Sequence, residues 1–151
     1  VSGWSASAKQ LAQISCYHGA DGFSAAVSQA DLVICLLPLT AATENLLHQQ
    51  AFARFKTGAI LVNVARGAIV DDLALLQNLD SGQLSAACLD VFRTEPLPAE
   101  HPFWSHPSIL LTPHISAVTN ADTAVAQIAE NYRRTVAGLP LLNQVDQQRG
   151  Y

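Results

Sequence analysis

The sequence predicts an α/β fold built on a doubly wound parallel sheet. Short apolar, β-branched runs alternate with segments of helical periodicity along the 151 residues, and this alternation is typical of parallel strands joined by helices. The clearest run, Asp31–Leu37, is unbroken and stops at Pro38, as expected of a strand buried on both faces. Hydrophobic residues make up 50% of the chain, which is enough for one ordinary core.

The first third of the chain predicts short elements. Val1–Trp4 is interpreted as the end of a strand that runs into a polar turn, and Ile14–Tyr17 as a short strand or a loop. Asp21 is a candidate N-cap for a short helix that continues to Val27. After the strand at residues 31–37, a helix around Leu47–Phe55 is expected to end at a glycine, Gly58.

The remaining elements repeat the alternation. A helix begins at Asp71 and Asp72, and an apolar stripe of Leu73, Leu76 and Leu79 is expected to face the core. Arg93–Pro107 contains four prolines and is predicted to be a loop. The other predicted elements are strands at Ala59–Val64, Ala86–Val91 and Ile109–Thr112, and a helix at Asn120–Ala137.

Composition excludes several classes of function. The net charge of −4 and only eight Lys plus Arg argue against a nucleic-acid surface. No apolar run is long enough to span a bilayer, and the first residues lack the pattern of a signal peptide. The three cysteines are widely spaced, and no Cys/His cluster has metal-ligand spacing. We therefore expect a cytoplasmic protein with no nucleic-acid partner, no membrane partner and no metal.

Three segments in a fixed order carry the chemistry: residues 63–67 (NVARG), 90–98 (DVFRTEPLP) and 112–114 (TPH). Each follows a predicted strand, so each delivers a side chain to the carboxyl end of a sheet, where open α/β sheets bind their ligands. The side chains are the guanidinium of Arg66, the carboxylate of Glu95 and the imidazole of His114. A guanidinium can grip a carboxylate with two hydrogen bonds, and an imidazole can exchange a proton with a carbonyl oxygen.

With these surroundings the chain resembles the D-isomer-specific 2-hydroxyacid dehydrogenase family. Flanking segments at residues 37–40, 95–98, 101–107 and 145–151 are most similar to its A-type glyoxylate/hydroxypyruvate reductases, and the resemblance runs from Trp4 to Tyr151. It implies an oxidoreductase that transfers a hydride from NAD(P)H to a small 2-oxo acid, glyoxylate or hydroxypyruvate. In the roles that the resemblance implies, Arg66 binds the substrate carboxylate, His114 is the acid and base, and Glu95 holds the His114 ring. A cytoplasmic homodimer is also implied.

The resemblance further implies a Rossmann-like cofactor site. Asp90 is expected to contact the nicotinamide carboxamide, beside Arg66 and His114. Leu37, Pro38, Val64 and Ala65 are expected to line the rest of the nucleotide cleft.

The preference between the two nicotinamide cofactors depends on the turn at residues 5–9. NAD enzymes commonly place an acid at the end of this strand to bind the ribose, and none is present here. Ser5, Ser7 and Lys9 are therefore candidate ligands of the NADP 2′-phosphate, with NAD as the alternative cofactor. The resembled subfamily usually has arginine where Ala6 and Ala8 stand.

The same comparison predicts that the sequence is part of a larger fold. There is no methionine and no G-x-G-x-x-G, and the resemblance begins at the second strand of the nucleotide-binding fold. We expect the first strand, the Gly-rich loop and most of the substrate domain to be lacking. Residues 1–118 would form a partial dinucleotide-binding domain, and residues 119–151 a helix and tail that pack towards the missing substrate domain.

Alternative functions remain open at this point. The isolated chain could be a catalytically incomplete fragment, or a dehydrogenase-like module that binds the cofactor as a sensor. Within the enzymes, 3-phosphoglycerate dehydrogenase is the nearest competitor, and formate dehydrogenase is disfavoured because Glu95 occupies a position that is normally glutamine. The role of Trp104, as a wall of the substrate site or as an anchor of its loop, is also left open.

Overall fold

A computed structural model describes residues 1–147. The segment at residues 145–151, on which the family resemblance partly rests, is described only as far as residue 147. The chain divides into two compact units, residues 1–114 and 115–151. No helix among the described residues is long and apolar enough to cross a membrane.

The first unit contains two parallel sheets, as the alternation of strands and helices predicts. Strands β1 (Ser2–Ser5) and β2 (Ser15–His18) pair in one sheet. The second sheet has the order β3-β4-β5-β6. Its strands are β3 (Leu32–Cys35), β4 (Ala59–Asn63), β5 (Leu84–Leu89) and β6 (Ile109–Leu111).

Three helices accompany these sheets, and two details of the prediction about them are wrong. They are α1 (Gly19–Val27), α2 (Gln49–Phe52) and α3 (Asp72–Asp80). Asp21 lies inside the first turn of α1, so its prediction as an N-cap is wrong; His18 holds the cap position, without a side-chain bond. The Asp71 side chain does cap α3, where it accepts from the Ala74 N–H at 3.1 Å.

The α3 stripe is the second detail that was wrong. Leu73 is 71% exposed, whereas Leu75 is fully buried and Leu79 is buried beside Ala74 and Asn78. The helix is therefore rotated by about one residue from the predicted orientation, because its contact with the sheet decides which side is covered. Short 3₁₀ turns at Gly67–Ile69 and Pro102–Ser105 complete the unit, the latter inside the predicted loop.

The core lies on one face of the four-stranded sheet. Leu61 and Leu89 point to this face and are buried, together with Phe52, Ile69 and Leu75. The opposite face is open: Leu32 is 50% exposed, and Ile34, Ile60 and Leu110 are also exposed. The prediction that the strand at residues 31–37 is buried on both faces is therefore wrong, because only its Val33 and Cys35 side packs against the core.

The two sheets have no strand between them among the described residues. A cavity of about 360 Å³ separates β1 from β3, lined by Trp4 and Phe23 on one side and by Val33 and Leu37 on the other. In strand order 3-2-1-4-5-6 this is the position of the first strand. The prediction of a Rossmann-like sheet without its first strand is thereby confirmed.

The second unit is a helix with a folded-back tail. Helix α4 (Ala121–Val136) is capped by Asn120, whose side chain accepts from the Thr123 N–H at 3.1 Å. Asn131 exchanges two hydrogen bonds with the backbone of Leu142, at 3.2 and 2.8 Å. These bonds tie the chain after the helix to its last turns.

Gly67 allows two loops of the first unit to meet. A Cβ atom at this position would lie 1.9 Å from the Phe92 carbonyl carbon and 2.3 Å from the Arg93 nitrogen, both of them backbone atoms. The chain that follows β4 therefore lies directly against the chain that follows β5. Only glycine permits this approach.

We expect Gly67→Ala to lower the free energy of unfolding by about 3 kcal/mol or more, because backbone must move to admit the methyl group. Urea denaturation measures the loss. Gly58→Ala is the matched control: Gly58 has φ +79° but no atom within 4 Å of an added Cβ, so strain of about 1 kcal/mol is expected. Equal losses for the two variants would contradict the close approach.

Candidate active site

The predicted site residues of the four-stranded sheet lie at one edge. Because β3 to β6 are all parallel, their carboxyl ends point the same way. Two backbone hydrogen bonds extend the pairing past the strands: Asp90 N–H to Asn63 O at 3.0 Å, and Thr112 N–H to Leu89 O at 3.0 Å. The predicted residues beyond these strand ends are Leu37, Pro38, Val64, Ala65, Arg66, Asp90, Glu95 and His114.

Glu95 and His114 are in direct contact. His114 Nδ1 and Glu95 Oε2 are 2.8 Å apart, and Glu95 Oε1 accepts a hydrogen bond from the Phe92 N–H at 2.9 Å. Both carboxylate oxygens are thus engaged, which fixes the plane of the carboxylate. With Nδ1 held by a carboxylate, the other ring nitrogen, Nε2, is left for a ligand.

The backbone of His114 adopts an unusual conformation. Its φ is +54°, in the left-handed region that non-glycine residues seldom adopt, and its N–H bonds to Thr112 O at 3.1 Å. This tight turn after Pro113 brings the ring back towards Glu95. Such a conformation costs of the order of 1 kcal/mol and is concentrated at functional sites.

The environment lowers the pKa of Glu95 below its ordinary value. The hydrogen bond with His114 is the largest cause, and the Phe92 N–H is the second; the charges of His114 and Arg66 add to them. Glu95 is therefore a carboxylate at neutral pH. It can orient the His114 ring through the contact with Nδ1.

Arg66 stands exposed at the end of the turn after β4. Its backbone is extended, and its Nη1 atom donates to the carbonyl oxygen of Ala65 at 2.6 Å. The remaining donors of the guanidinium are available for a carboxylate ligand.

Asp90 is nearly inaccessible to solvent, at 1% exposure. Its Oδ1 atom accepts a hydrogen bond from the Thr112 hydroxyl at 2.5 Å. A buried carboxylate requires such partners, and this one ties the end of β5 to the segment that carries His114.

The loop between β5 and β6 is fixed at several points. The Trp104 indole N–H donates to Pro98 O at 2.9 Å, so this residue anchors the loop. Trp104 is 57% exposed and also lines, with Glu95, a cavity of about 570 Å³. Two histidines tie the loop to α3: His101 Nε2 lies 3.6 Å from Asp72, and His106 Nε2 lies 3.3 Å from Asp80.

Ser5 ends β1 in the other sheet, and Ser7 and Lys9 lie in the chain that follows this strand. The Ser5 hydroxyl donates to Ser7 O at 2.7 Å, whereas the side chains of Ser7 and Lys9 are exposed. Lys9 lines a cavity of about 620 Å³ together with His18, which pairs with Ser5 across β1 and β2. These residues are thus separated from the edge that carries Arg66, Glu95 and His114.

Asn63 and Thr112 begin the segments at residues 63–67 and 112–114, but the sequence pattern assigned neither of them a role in the site. Asn63 is 1% exposed and bonds to the turn that carries Arg66. The feature of the sequence that could have indicated Asn63 is its place as a polar residue at the end of an apolar strand. Among the described residues, no group of three His, Cys, Asp or Glu side chains could hold a metal ion.

Comparison with known proteins identifies the family. Residues 1–116 match the model of the D-isomer specific 2-hydroxyacid dehydrogenase NAD binding domain. The chain belongs to this family. A glyoxylate/hydroxypyruvate reductase A from Serratia proteamaculans is 47% identical over 148 residues, which are 98% of this chain and 47% of that protein. The chain therefore spans about half the length of the curated relatives it matches.

Two solved structures, the first of them a D-isomer specific 2-hydroxyacid dehydrogenase, are similar to this chain. One, from Xanthobacter autotrophicus in complex with NADPH and MES, is 43% identical with a TM-score of 0.96, over 99% of this chain and 62% of that one. The other is an NADPH-dependent glyoxylate/hydroxypyruvate reductase from Sinorhizobium meliloti in complex with NADP and sulfate. It is 33% identical with a TM-score of 0.93, over 99% of this chain and 49% of that one.

The lowered pKa of Glu95 predicts a pH dependence. Because the folded state favours the carboxylate form of Glu95, the contact with His114 stabilises the fold at pH values above the ordinary glutamate pKa of about 4.3. That contribution is lost as pH falls through the lower pKa of the folded state. Carbon-13 NMR should show Glu95 titrating below the ordinary range, and His114→Ala should raise its pKa. His48→Ala is the control, since His48 caps α2; an unchanged Glu95 pKa in His114→Ala would contradict the assignment.

Proposed function

We propose that this chain carries the catalytic residues of an NAD(P)-dependent reductase of small 2-oxo acids, with glyoxylate or hydroxypyruvate as substrate and the 2-hydroxy acid as product. The observation that carries the proposal is the 2.8 Å contact between Glu95 and His114 at the sheet edge that also presents Arg66. The relatives named glyoxylate/hydroxypyruvate reductase A support the choice of substrate over 3-phosphoglycerate.

In the proposed reaction, one group of residues binds the substrate and another transfers the proton. Arg66 binds the substrate carboxylate and polarises the adjacent carbonyl. His114, held through Nδ1 by Glu95, delivers a proton from Nε2 to the carbonyl oxygen, and takes it back in the reverse reaction. A bound reduced nicotinamide supplies the hydride for the carbonyl carbon.

The residues present fit such a cofactor at its two ends. At the nicotinamide end, the proposed groups are the buried Asp90 carboxylate, which the Thr112 hydroxyl holds, and the apolar side chains and backbone of Leu37, Pro38, Val64 and Ala65. At the other end, Lys9 and Ser7 provide exposed donors in a turn without an acid. This donor set suits a 2′-phosphate, so NADP is the proposed cofactor, with NAD as the alternative.

We infer a cytoplasmic homodimer, in which residues 119–151 pack towards a substrate domain. The chain has the length of about half of its curated relatives, which favours the view that it is catalytically incomplete by itself. A cofactor-sensing module is the second candidate, since such a module needs the cleft but not turnover.

The decisive experiment compares the chain alone with a chimaera. The chimaera joins the chain to the part of the Serratia proteamaculans relative that it does not cover. NADPH oxidation is followed with glyoxylate and with hydroxypyruvate, and NADPH binding is followed by fluorescence. Turnover by the chimaera is expected, with little or none by the chain alone. NADPH binding without turnover would favour the sensor, and a folded chimaera with neither property would refute the proposal.

His114→Ala should lower kcat of the chimaera by roughly a hundredfold or more, because the general acid is lost. His48→Ala is the control, since this ring accepts a bond from the Gln50 N–H at the start of α2, and it should leave kcat unchanged. Steady-state kinetics at saturating NADPH measure both. Near-normal turnover of the His114 variant would exclude it as the acid.

Lys9→Ala should raise KM for NADPH on the order of tenfold and leave KM for NADH unchanged, since one charge-assisted hydrogen bond to phosphate is lost. Lys56→Ala is the matched control, because Lys56 pairs with Asp31 at 2.5 Å, near the amino ends of β3 and β4. Equal effects of Lys9→Ala on the two cofactors would contradict a 2′-phosphate contact.

A further inference from the structure

Asn63 is a buried polar residue among apolar ones. It ends β4 on the face that packs against the core, where Cys35 and Leu89 are its neighbours across the sheet, and it is only 1% exposed. A buried amide costs free energy unless both its donor and its acceptor are satisfied. Its partners therefore indicate why an asparagine stands here.

Both ends of the Asn63 amide bind the turn that carries Arg66. Oδ1 accepts from the Ala65 N–H at 3.1 Å, and Nδ2 donates to the Arg66 carbonyl oxygen at 3.1 Å. The orientation of the amide is determined, because the opposite one would place Nδ2 against a second donor. The side chain thus bridges the turn from the Val64–Ala65 peptide to the Arg66–Gly67 peptide, and the backbone of Arg66 lies between these two points.

The same turn is bounded on its other side by the chain after β5. Gly67 lies against the backbone of Phe92, and Phe92 donates its N–H to Glu95. The main-chain carbonyl of Asn63 accepts from the Asp90 N–H. The Asn63 side chain therefore holds the Arg66 turn, while its backbone pairs with the end of the strand that leads to Glu95.

We propose that Asn63 is a positioning residue, which acts through Arg66 to align the guanidinium with the substrate carboxylate. The inference rests on the proposed role of Arg66 in binding that carboxylate. Two parallel hydrogen bonds require a defined placement of the guanidinium, and small displacements of a binding group weaken them strongly. Glu95 and His114 lie beyond other strands, so their proton transfer does not depend on the Asn63 amide.

The test compares Asn63→Ala with Asn78→Ala in the chimaera. Asn78 is an equally buried asparagine, 3% exposed, whose Nδ2 donates to Ala74 O and to Gln49 Oε1 in the contact between α2 and α3. Both variants should lose stability. Asn63→Ala alone should raise KM for glyoxylate by roughly tenfold to a hundredfold. The shape of its pH–rate profile should stay unchanged, because Glu95 and His114 keep their direct contact.

A second readout does not depend on turnover. The nitrogen-15 NMR signal of Arg66 Nε, assigned by its loss in Arg66→Lys, should shift or broaden in Asn63→Ala and not in Asn78→Ala. An unchanged signal together with an unchanged KM would overturn the inference, as would equal changes in both variants. Failure of the chimaera to reduce any 2-oxo acid, with the Arg66 signal still altered in Asn63→Ala, would count against the proposed function and not against the positioning.

Discussion

The parallel pairing of β3 to β6, continued past the strand ends, is the constraint on which the candidate site depends. The bonds Asp90 N–H to Asn63 O and Thr112 N–H to Leu89 O extend the ladder to the first residues of the loops. Each loop therefore starts at a fixed height above its neighbour. Side chains that are far apart in sequence reach one edge because the backbone register allows no other arrangement.

Beyond the ends of the paired strands, side-chain hydrogen bonds hold the loops in place, as backbone hydrogen bonds hold the strands. The Asn63 amide holds the turn after β4, and the Thr112 hydroxyl joins the ends of β5 and β6 through Asp90. Arg93 adds a brace, since its Nη2 atom donates to Asn45 at 2.5 Å and to Val70 O at 2.9 Å. Because these polar groups are paired, the edge keeps its shape without help from the exposed side chains that would meet a ligand.

The sequence predicted the strands, the loops and the three chemical groups because those depend on local pattern. An apolar run followed by a polar segment predicts a strand end wherever it occurs, and the order of Arg66, Glu95 and His114 is specific. Burial was less predictable, because it depends on what packs above the sheet. Leu73 and Ile34 have the residue type of core positions and are exposed. Asn63 has the residue type of a turn and is buried. The positive φ of His114 could not be predicted, because a histidine in the sequence does not by itself indicate a left-handed backbone conformation.

The residues of the proposed chemistry are divided between the two sheets, and different contacts hold each group in place. Arg66, Glu95 and His114 all lie at the edge of one sheet and are held by contacts within it. Lys9 and Ser7 lie beyond β1, on the other side of the cavity that separates β1 from β3. A ligand that reaches both ends depends on the distance across that cavity, and paired strands in a continuous sheet stand about 4.8 Å apart. Whatever occupies the cavity thus sets the distance between the two ends of the proposed cofactor site, whereas the contact between Glu95 and His114 forms without it.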